Sequence, residues 1–324
     1  MKTAFLTHPL FLEHDTGAHH PERADRLRAI EAHLRANGIW ENLVHLPFLP
    51  ATEVDLARCH TANHIARVRT IAQNGGGSLD ADTIISPASF DAAILASGAL
   101  LGAIDGVMSG AIDHAFVAAR PCGHHAESGR DADSPWGFCL FNHVAVGARY
   151  AQHRHGLERV AILDFDVHHG NGTQEIFYDD GSVFFASIHE SPLFPGTGRS
   201  FETGTGAGEG ATCNIPLPPS SDGALYRLAW EQIGRKLEKF SPNLIILSAG
   251  YDAHHSDPLA HMDLEIEDFT FFVNEAKKWA STLCEGRIVA VLEGGYNLDA
   301  LAQSVAATLE VFRSDEHQHT RAQE

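Results

Sequence analysis

From Val160 to Leu163 four apolar residues run without interruption, and Asp164-Phe165-Asp166-Val167-His168-His169-Gly170-Asn171-Gly172 follows directly. A run so short and so uniformly apolar is the pattern of a strand buried on both faces of a parallel sheet. Such a strand obliges the chain to supply helices for both sides of the sheet, and to find partners for the charges crowded at its end. Asp164, Asp166 and His168 alternate with Phe165 and Val167. If the backbone stays extended, alternate side chains share a face, so Asp166 and His168 converge while Phe165 and Val167 turn to packing. An imidazole and a carboxylate so placed are ordinary ligands for zinc or a similar divalent ion. A lone Asp-x-His also occurs as a solvated strand end, so the motif is decided by what the other strands do.

Taken in order, Thr3 to Thr7 predicts a first strand, and Pro21-Glu22-Arg23 opens a helix whose Leu27, Ile30 and Leu34 recur at helical spacing until Asn37-Gly38. Helices are expected over 63–73, ended by Gly75-Gly76-Gly77, and over 90–108. The strand expected over 114–119 runs straight into Arg120-Pro121-Cys122-Gly123-His124-His125-Ala126-Glu127. Two adjacent histidines are costly to bury together, so this stretch reads equally well as a surface loop. An aromatic turn, Trp136-Gly137-Phe138-Cys139-Leu140-Phe141-Asn142, precedes a helix from His143 to His153. The strand over 183–188 leads to a Gly-rich segment ending at Gly210, which neither opens a helix nor ends in Gly-Lys-Ser/Thr. It reads as a rim loop and not as a phosphate cradle. After a helix over 223–240, the strand 244–247 ends in Ser248-Ala249-Gly250-Tyr251-Asp252. The strand 287–292 ends in Glu293-Gly294-Gly295-Tyr296-Asn297, and a closing helix begins at Leu298.

Strands alternating with helices predict an α/β fold, a single-domain parallel sheet flanked by helices on both faces. Residues 1–313 are expected to form one catalytic domain and 314–324 a polar C-terminal tail. In such sheets sites lie beyond the carboxyl ends of the strands. The Gly-His-His stretch, Asp166 with His168, Asp252 and the Gly-Gly-Tyr stretch each follow a separate strand at that end, so topology predicts that they meet.

The 324 residues, 44% of them hydrophobic and 20% charged, suffice for one large α/β domain. A net charge of −19 argues against a nucleic-acid partner and suits cationic substrates. Five cysteines without paired metal spacing fit a reducing cytoplasm. No stretch reads as a signal peptide or membrane span, so a cytoplasmic protein without a membrane partner is expected.

Arg-Pro-Cys-Gly-His-His-Ala-Glu, Gly-Phe-Cys-Leu-Phe-Asn, Asp-Phe-Asp-Val-His-His-Gly-Asn-Gly-Thr-Gln, Phe-Pro-Gly-Thr-Gly, Ser-Ala-Gly-Tyr-Asp and Leu-Glu-Gly-Gly-Tyr-Asn occur in this order along the chain. The series resembles that of the histone deacetylase family. Asn171 and the His-Pro-Glu-Arg at 20–23 look most like class II members and their bacterial relatives, the histone deacetylase-like and acetylpolyamine amidohydrolases. The resemblance implies an amidohydrolase that removes acetyl or another small acyl group from N-acetyl-lysine or from an acetylated polyamine or small amine. It implies that Asp166, His168 and Asp252 hold one catalytic Zn²⁺ with a position left open, the usual layout of hydrolytic zinc. His124 and His125 match the family's tandem histidines, with Asp164 behind the first and Asn171 behind the second. A carboxylate stabilises imidazolium far more than an amide does, which makes His125 the general base and His124 an electrostatic partner. Tyr296 matches the phenol that stabilises the oxyanion. Gly137, Phe138, Phe194 and Leu259 match the walls of the family's substrate tunnel, and Asp164 and Ser187 match a structural K⁺ site.

Leu259 stands where a polyamine-selective relative carries an acidic gatekeeper, leaving Glu13, Asp15 or Asp82 as the acids nearest to that task. His254 and His255 depart from the family pattern and are expected at the rim without a metal role. Two other readings compete. An arginase-like ureohydrolase with paired manganese shares the fold, but this chain offers Asn171 and His254 where bridging carboxylates are wanted. A binding module for acyl-lysine without turnover has no use for both histidines and Tyr296.

Overall fold

The computed structural model describes residues 1–131 and 134–315. Among the described residues, nine strands and nine α-helices follow one another. They are β1 (Thr3–Leu6), α1 (Asp25–Ala36), α2 (Glu53–Leu56), α3 (Ala62–Gln73), β2 (Gly77–Ser78), β3 (Ile84–Ile85), α4 (Ser89–Met108), β4 (His114–Val117) and α5 (His143–His155). There follow β5 (Val160–Asp164), α6 (Asn171–Phe177), β6 (Val183–Glu190), β7 (Thr212–Leu217), α7 (Gly223–Phe240), β8 (Leu244–Ala249), α8 (Ile266–Leu283), β9 (Ile288–Leu292) and α9 (Leu298–Arg313). Seven strands form one sheet in the order β1-β4-β9-β8-β5-β6-β7. Every pairing in it is parallel.

The apolar runs account for the sheet's burial: β4, β5, β6, β8 and β9 are buried at every residue. Helices α4 and α5 pack together over one face, while α7, α8 and α9 form a chain of contacts over the other, with α1 against α9. Helix α4 is apolar enough to cross a membrane, yet 72% of its most apolar window is buried here, so it is a core helix. Its small residues bring neighbours very close; a Cβ added at Gly98 would lie 1.9 Å from the Leu49 carbonyl oxygen. Helix N-termini are fixed by polar caps: Asn142, Asp222 and Asn297 each accept a backbone N–H from the first turn of α5, α7 and α9.

Three departures from the sequence reading have physical causes. Helix α1 begins at Asp25 and not at Pro21, because Glu22 is fully buried and its carboxylate is held by Arg120 and Arg26. Strand β5 ends at Asp164, and residues 166–168 bend instead of continuing extended. Strand β7, helix α8 and the short β2–β3 hairpin were not anticipated. In α8 the signal was present, since Phe269, Phe272, Val273, Ala276 and Ala280 keep helical spacing and are buried. The expected tail beyond Asp315 lies outside the described residues.

Candidate metal centre and active site

Four neighbouring strands, β4, β9, β8 and β5, aim their carboxyl ends at one place. At the end of β5 the backbone turns because side chains capture it: the Asp166 N–H donates to Asp164 Oδ1 at 3.1 Å and the His168 N–H to Asp166 Oδ1 at 2.9 Å. Phe165 and Val167 are buried, as the alternation predicts. Asp252, beyond β8, accepts the Val167 N–H at Oδ1 (2.9 Å), and Asp166 accepts the Gly294 N–H at Oδ2 (2.7 Å). The other oxygen of each carboxylate stands 3.1 Å from His168 Nδ1. One donor atom from each of Asp166, His168 and Asp252 lies within 4.8 Å of the others, and all three residues are buried.

This trio fits a divalent cation. Among the described residues, the ion-pair partners of the two carboxylates are only His124 and His168. Burial opposes a charge on His168, yet hydrogen bonds to Asp166 and Asp252 outweigh it and hold the imidazole up at about 10. The site therefore attracts positive charge strongly, and its oxygen and imidazole donors suit zinc-like ions. Glycines let the carboxylates approach: a Cβ at Gly250 would be 2.1 Å from Asp166 Oδ2, and one at Gly294 2.1 Å from Asp252 Oδ2.

Beyond β4, both tandem histidines are buried, not spread on a surface loop. Each has one nitrogen satisfied. His124 Nδ1 meets Asp164 Oδ2 at 2.9 Å and His125 Nδ1 meets Asn171 Oδ1 at 2.8 Å. The Asn171 amide is oriented by donating Nδ2 to Glu127 Oε1 at 2.8 Å, so its oxygen faces His125 and accepts the Nδ1–H. His125 is thus left with a lone pair on Nε2. Burial, with the charges of His124 and His168 behind it, pushes His125 well below the ordinary imidazole range. Burial also opposes charge on His124, but Asp164 and Asp166 hold it well above that range. Burial pushes Asp164 up to about 7 against the pull of His124. The proton between the two belongs on His124, because Asp166 and Glu293 add to its field.

Tyr296 follows β9 and shares with His125 and His168 the floor of a cavity of about 210 Å³. Gly137, Phe138, Phe194, Leu259 and Asp82 are among the residues that line it. Phe138 holds a left-handed backbone, φ 69°, and its N–H donates to Thr83 Oγ1 at 3.0 Å. A non-glycine residue kept there marks a wall shaped by its surroundings. Burial raises the Tyr296 phenol well above its ordinary value, so it remains a donor.

Sequence reasoning missed the residues that hold Tyr296. Arg26 donates from Nε to the Gly295 carbonyl (2.7 Å) and from Nη2 to the Glu293 carbonyl (2.5 Å), with its guanidinium 5.0 Å from the Tyr296 ring centre. Asp257 accepts the Tyr296 N–H at 2.7 Å. Glu293 accepts the Gly123 and His124 N–H groups at 2.7 and 3.1 Å. His20 donates to the Asp82 carbonyl at 2.9 Å and packs edge-on against Phe138. Of these, Glu293 left a recoverable signal, a charge set between an apolar strand and Gly294-Gly295. Elsewhere, Ser187 is the register partner of Asp164 and bonds His189 Nδ1 at 2.9 Å. His254 and His255 do not line the cavity; they turn to Glu265, at 3.9 and 3.2 Å.

A profile of the histone deacetylase domain matches residues 20–312. A histone deacetylase-like amidohydrolase of Pseudomonas aeruginosa is 36% identical over 91% of this chain and 82% of its own. A probable deacetylase of Archaeoglobus fulgidus is 40% identical over 92% of this chain and 82% of its own. The crystal structure of the HDA15 HD domain superposes with a TM-score of 0.89 at 34% identity, covering 96% of this chain and 88% of that one. With the motif series in place on a matching fold, the chain belongs to the histone deacetylase family.

Proposed function

We propose that the protein is a zinc-dependent amidohydrolase that removes acetyl, or another small acyl group, from an amine. The observation that carries this reading is the buried Asp166, His168 and Asp252 trio beside a neutral His125 and a protonated Tyr296 on one cavity floor. Those three residues would hold Zn²⁺, which supplies Lewis-acid polarisation of the amide carbonyl and the attacking water. His125 accepts the water's proton at Nε2 and returns it to the departing amine, while Asn171 fixes the tautomer that leaves Nε2 free. His124, charged against Asp164, contributes a fixed positive field toward the developing oxyanion. The Tyr296 hydroxyl donates to the same oxyanion, on a loop held by Arg26 and Asp257.

The cavity walls formed by Phe138, Leu193, Phe194 and Leu259 suit an acyl group on a methylene chain, as in acetyl-lysine or an acetylated polyamine. Asp82 on the wall supplies an acceptor for an amide N–H or a distal ammonium. The proposal extends to a structural K⁺ at Asp164 and Ser187, register partners that are fully buried. Asn171 turns to His125 and His254 to Glu265, so neither supplies the second cation of a binuclear manganese site.

The test is kcat/KM of the zinc-loaded protein for an acetyl-lysine peptide, N-acetylputrescine and N-acetylspermidine, beside a chelated control. Turnover that disappears on chelation and returns with about one zinc per chain is the expected result. Turnover indifferent to chelation, or a requirement for two metals, would overturn the reading. The ratio of specificity constants then assigns the substrate class.

A further inference from the structure

Cys122 and Cys139 sit inside two of the sequence motifs, yet neither takes part in the chemistry above. Cys122 immediately precedes Gly123-His124-His125 and Cys139 immediately follows Gly137-Phe138. The fold sets their sulfurs 2.7 Å apart, both residues buried. Glu293 lies beside them, but its oxygens already accept from Gly123, His124 and Ser248. Two thiolates sharing a tetrahedral zinc stand about 3.8 Å apart, given Zn–S bonds of about 2.3 Å. The two sulfurs are too close to share an ion and need to approach by less than about 1 Å to bond to each other.

We propose that Cys122 and Cys139 are an oxidation site, at which a small neutral peroxide converts the thiol pair to a disulfide and restrains the active site. The Cys122 sulfur attacks one peroxide oxygen, the O–O bond breaks, and water leaves a sulfenic acid. The Cys139 sulfur then attacks the Cys122 sulfur, the S–O bond breaks, and a second water departs with the Cys139 proton. Two thiols lose two electrons and the peroxide gains them. Burial holds the Cys139 thiol well up, which suits the slower, resolving role.

The bond matters because the segment around Cys139 has no slack. A Cβ at Gly137 would lie 2.3 Å from the His125 ring and 2.9 Å from Phe194. The Cys122 thiol also contacts the Gly137 carbonyl, at 3.7 Å. Drawing the two cysteines together therefore presses on the proposed base and on the cavity wall. Displacement of a reacting group by about 1 Å costs on the order of a hundredfold in rate, so a fall of tenfold or more in kcat/KM is expected.

The experiment treats the purified, zinc-loaded protein with hydrogen peroxide and maps its peptides without reduction. A Cys122–Cys139 linked pair is expected, with kcat/KM down at least about tenfold and restored by dithiothreitol. Cys122→Ala and Cys139→Ala should each keep their rate through the same treatment, with Cys122→Ser as the second choice if an alanine variant folds poorly. Treated wild-type protein without the linked pair would overturn the site. The linked pair with unchanged kcat/KM would overturn its effect. The rate readout rests on the proposed hydrolase activity, whereas linkage is read by mass, so failure of either idea is visible without the other.

Discussion

His124 and His125 are neighbours in sequence with rings 4.0 Å apart, and their second partners set them to opposite charge states. Asp164 stabilises imidazolium on one, and the Asn171 amide leaves the other neutral. His125→Ala should therefore keep the metal and lose turnover by about a hundredfold or more, the usual contribution of a positioned acid–base group. Metal analysis beside kcat checks this; a near wild-type rate would remove His125 as base. Tyr296→Phe should lower kcat by about two to three orders of magnitude, since one oxyanion donor is lost. An unchanged kcat would show that the phenol plays no part. Asp252→Ala should lose metal and activity together. At this scale the sequence was legible through its motif series, whose resemblance to the family supplied the candidate ligands, the paired histidines and the phenol. It was blind where a role lies in what a residue holds: Arg26 acts on the Gly295 carbonyl and Asp257 on the Tyr296 N–H, contacts no motif records.

Between elements, the glycines decide how close the ligands come. Gly250 follows β8 and Gly294 follows β9, and each leaves free the space that a side chain would take from the Asp166 and Asp252 carboxylates. Gly250→Ala puts a methyl 2.1 Å from Asp166 Oδ2, so Asp166 must rotate away from His168. Metal affinity should fall at least about tenfold, as changes around ligands typically cause, with far-UV circular dichroism unchanged. Wild-type affinity in a zinc titration would show that the carboxylate has room the structure does not give it. Helices and buried strands were readable from periodicity, and α7 falls over the predicted residues. The convergence of Asp166 and His168 was right for a different reason. Extended alternation was expected to align them, whereas bends stabilised by Asp164 and Asp166 do so.

For the molecule as a whole, alternating strands and helices sufficed to predict a parallel sheet covered on both faces. The order β1-β4-β9-β8-β5-β6-β7 was not legible, because it depends on which distant strands pack together. That order places β4, β9, β8 and β5 side by side and thereby assembles the site; it also buries an unusual number of titratable groups. Burial pushes His14, His60, His64, His114, His125, His143, His169, His189 and His254 below the ordinary imidazole range, four of them to about 4. Such groups bind protons in the unfolded chain from pH ~6.5 downward but in the folded one only at lower pH, near 4 for His64, His114, His143 and His189, so their stabilisation is present above pH 6.5 and lost as pH falls through the folded values. Burial also pushes Asp82, Asp164, Asp252, Asp257 and Glu293 up, two of them to about 7. These act in the opposite sense over an overlapping window, since they stay protonated when folded after the unfolded chain has released its protons. Nine against five leaves a net uptake of up to about four protons on unfolding, each worth about 1.4 kcal/mol per pH unit. His168, held up at about 10, weighs only above pH 6.5, where its stabilisation is progressively lost. The metal-free protein should therefore be most stable near pH ~6.5 and lose its urea midpoint steeply toward pH 5. A midpoint that holds or rises on acidification would mean that the buried carboxyls outweigh the buried histidines.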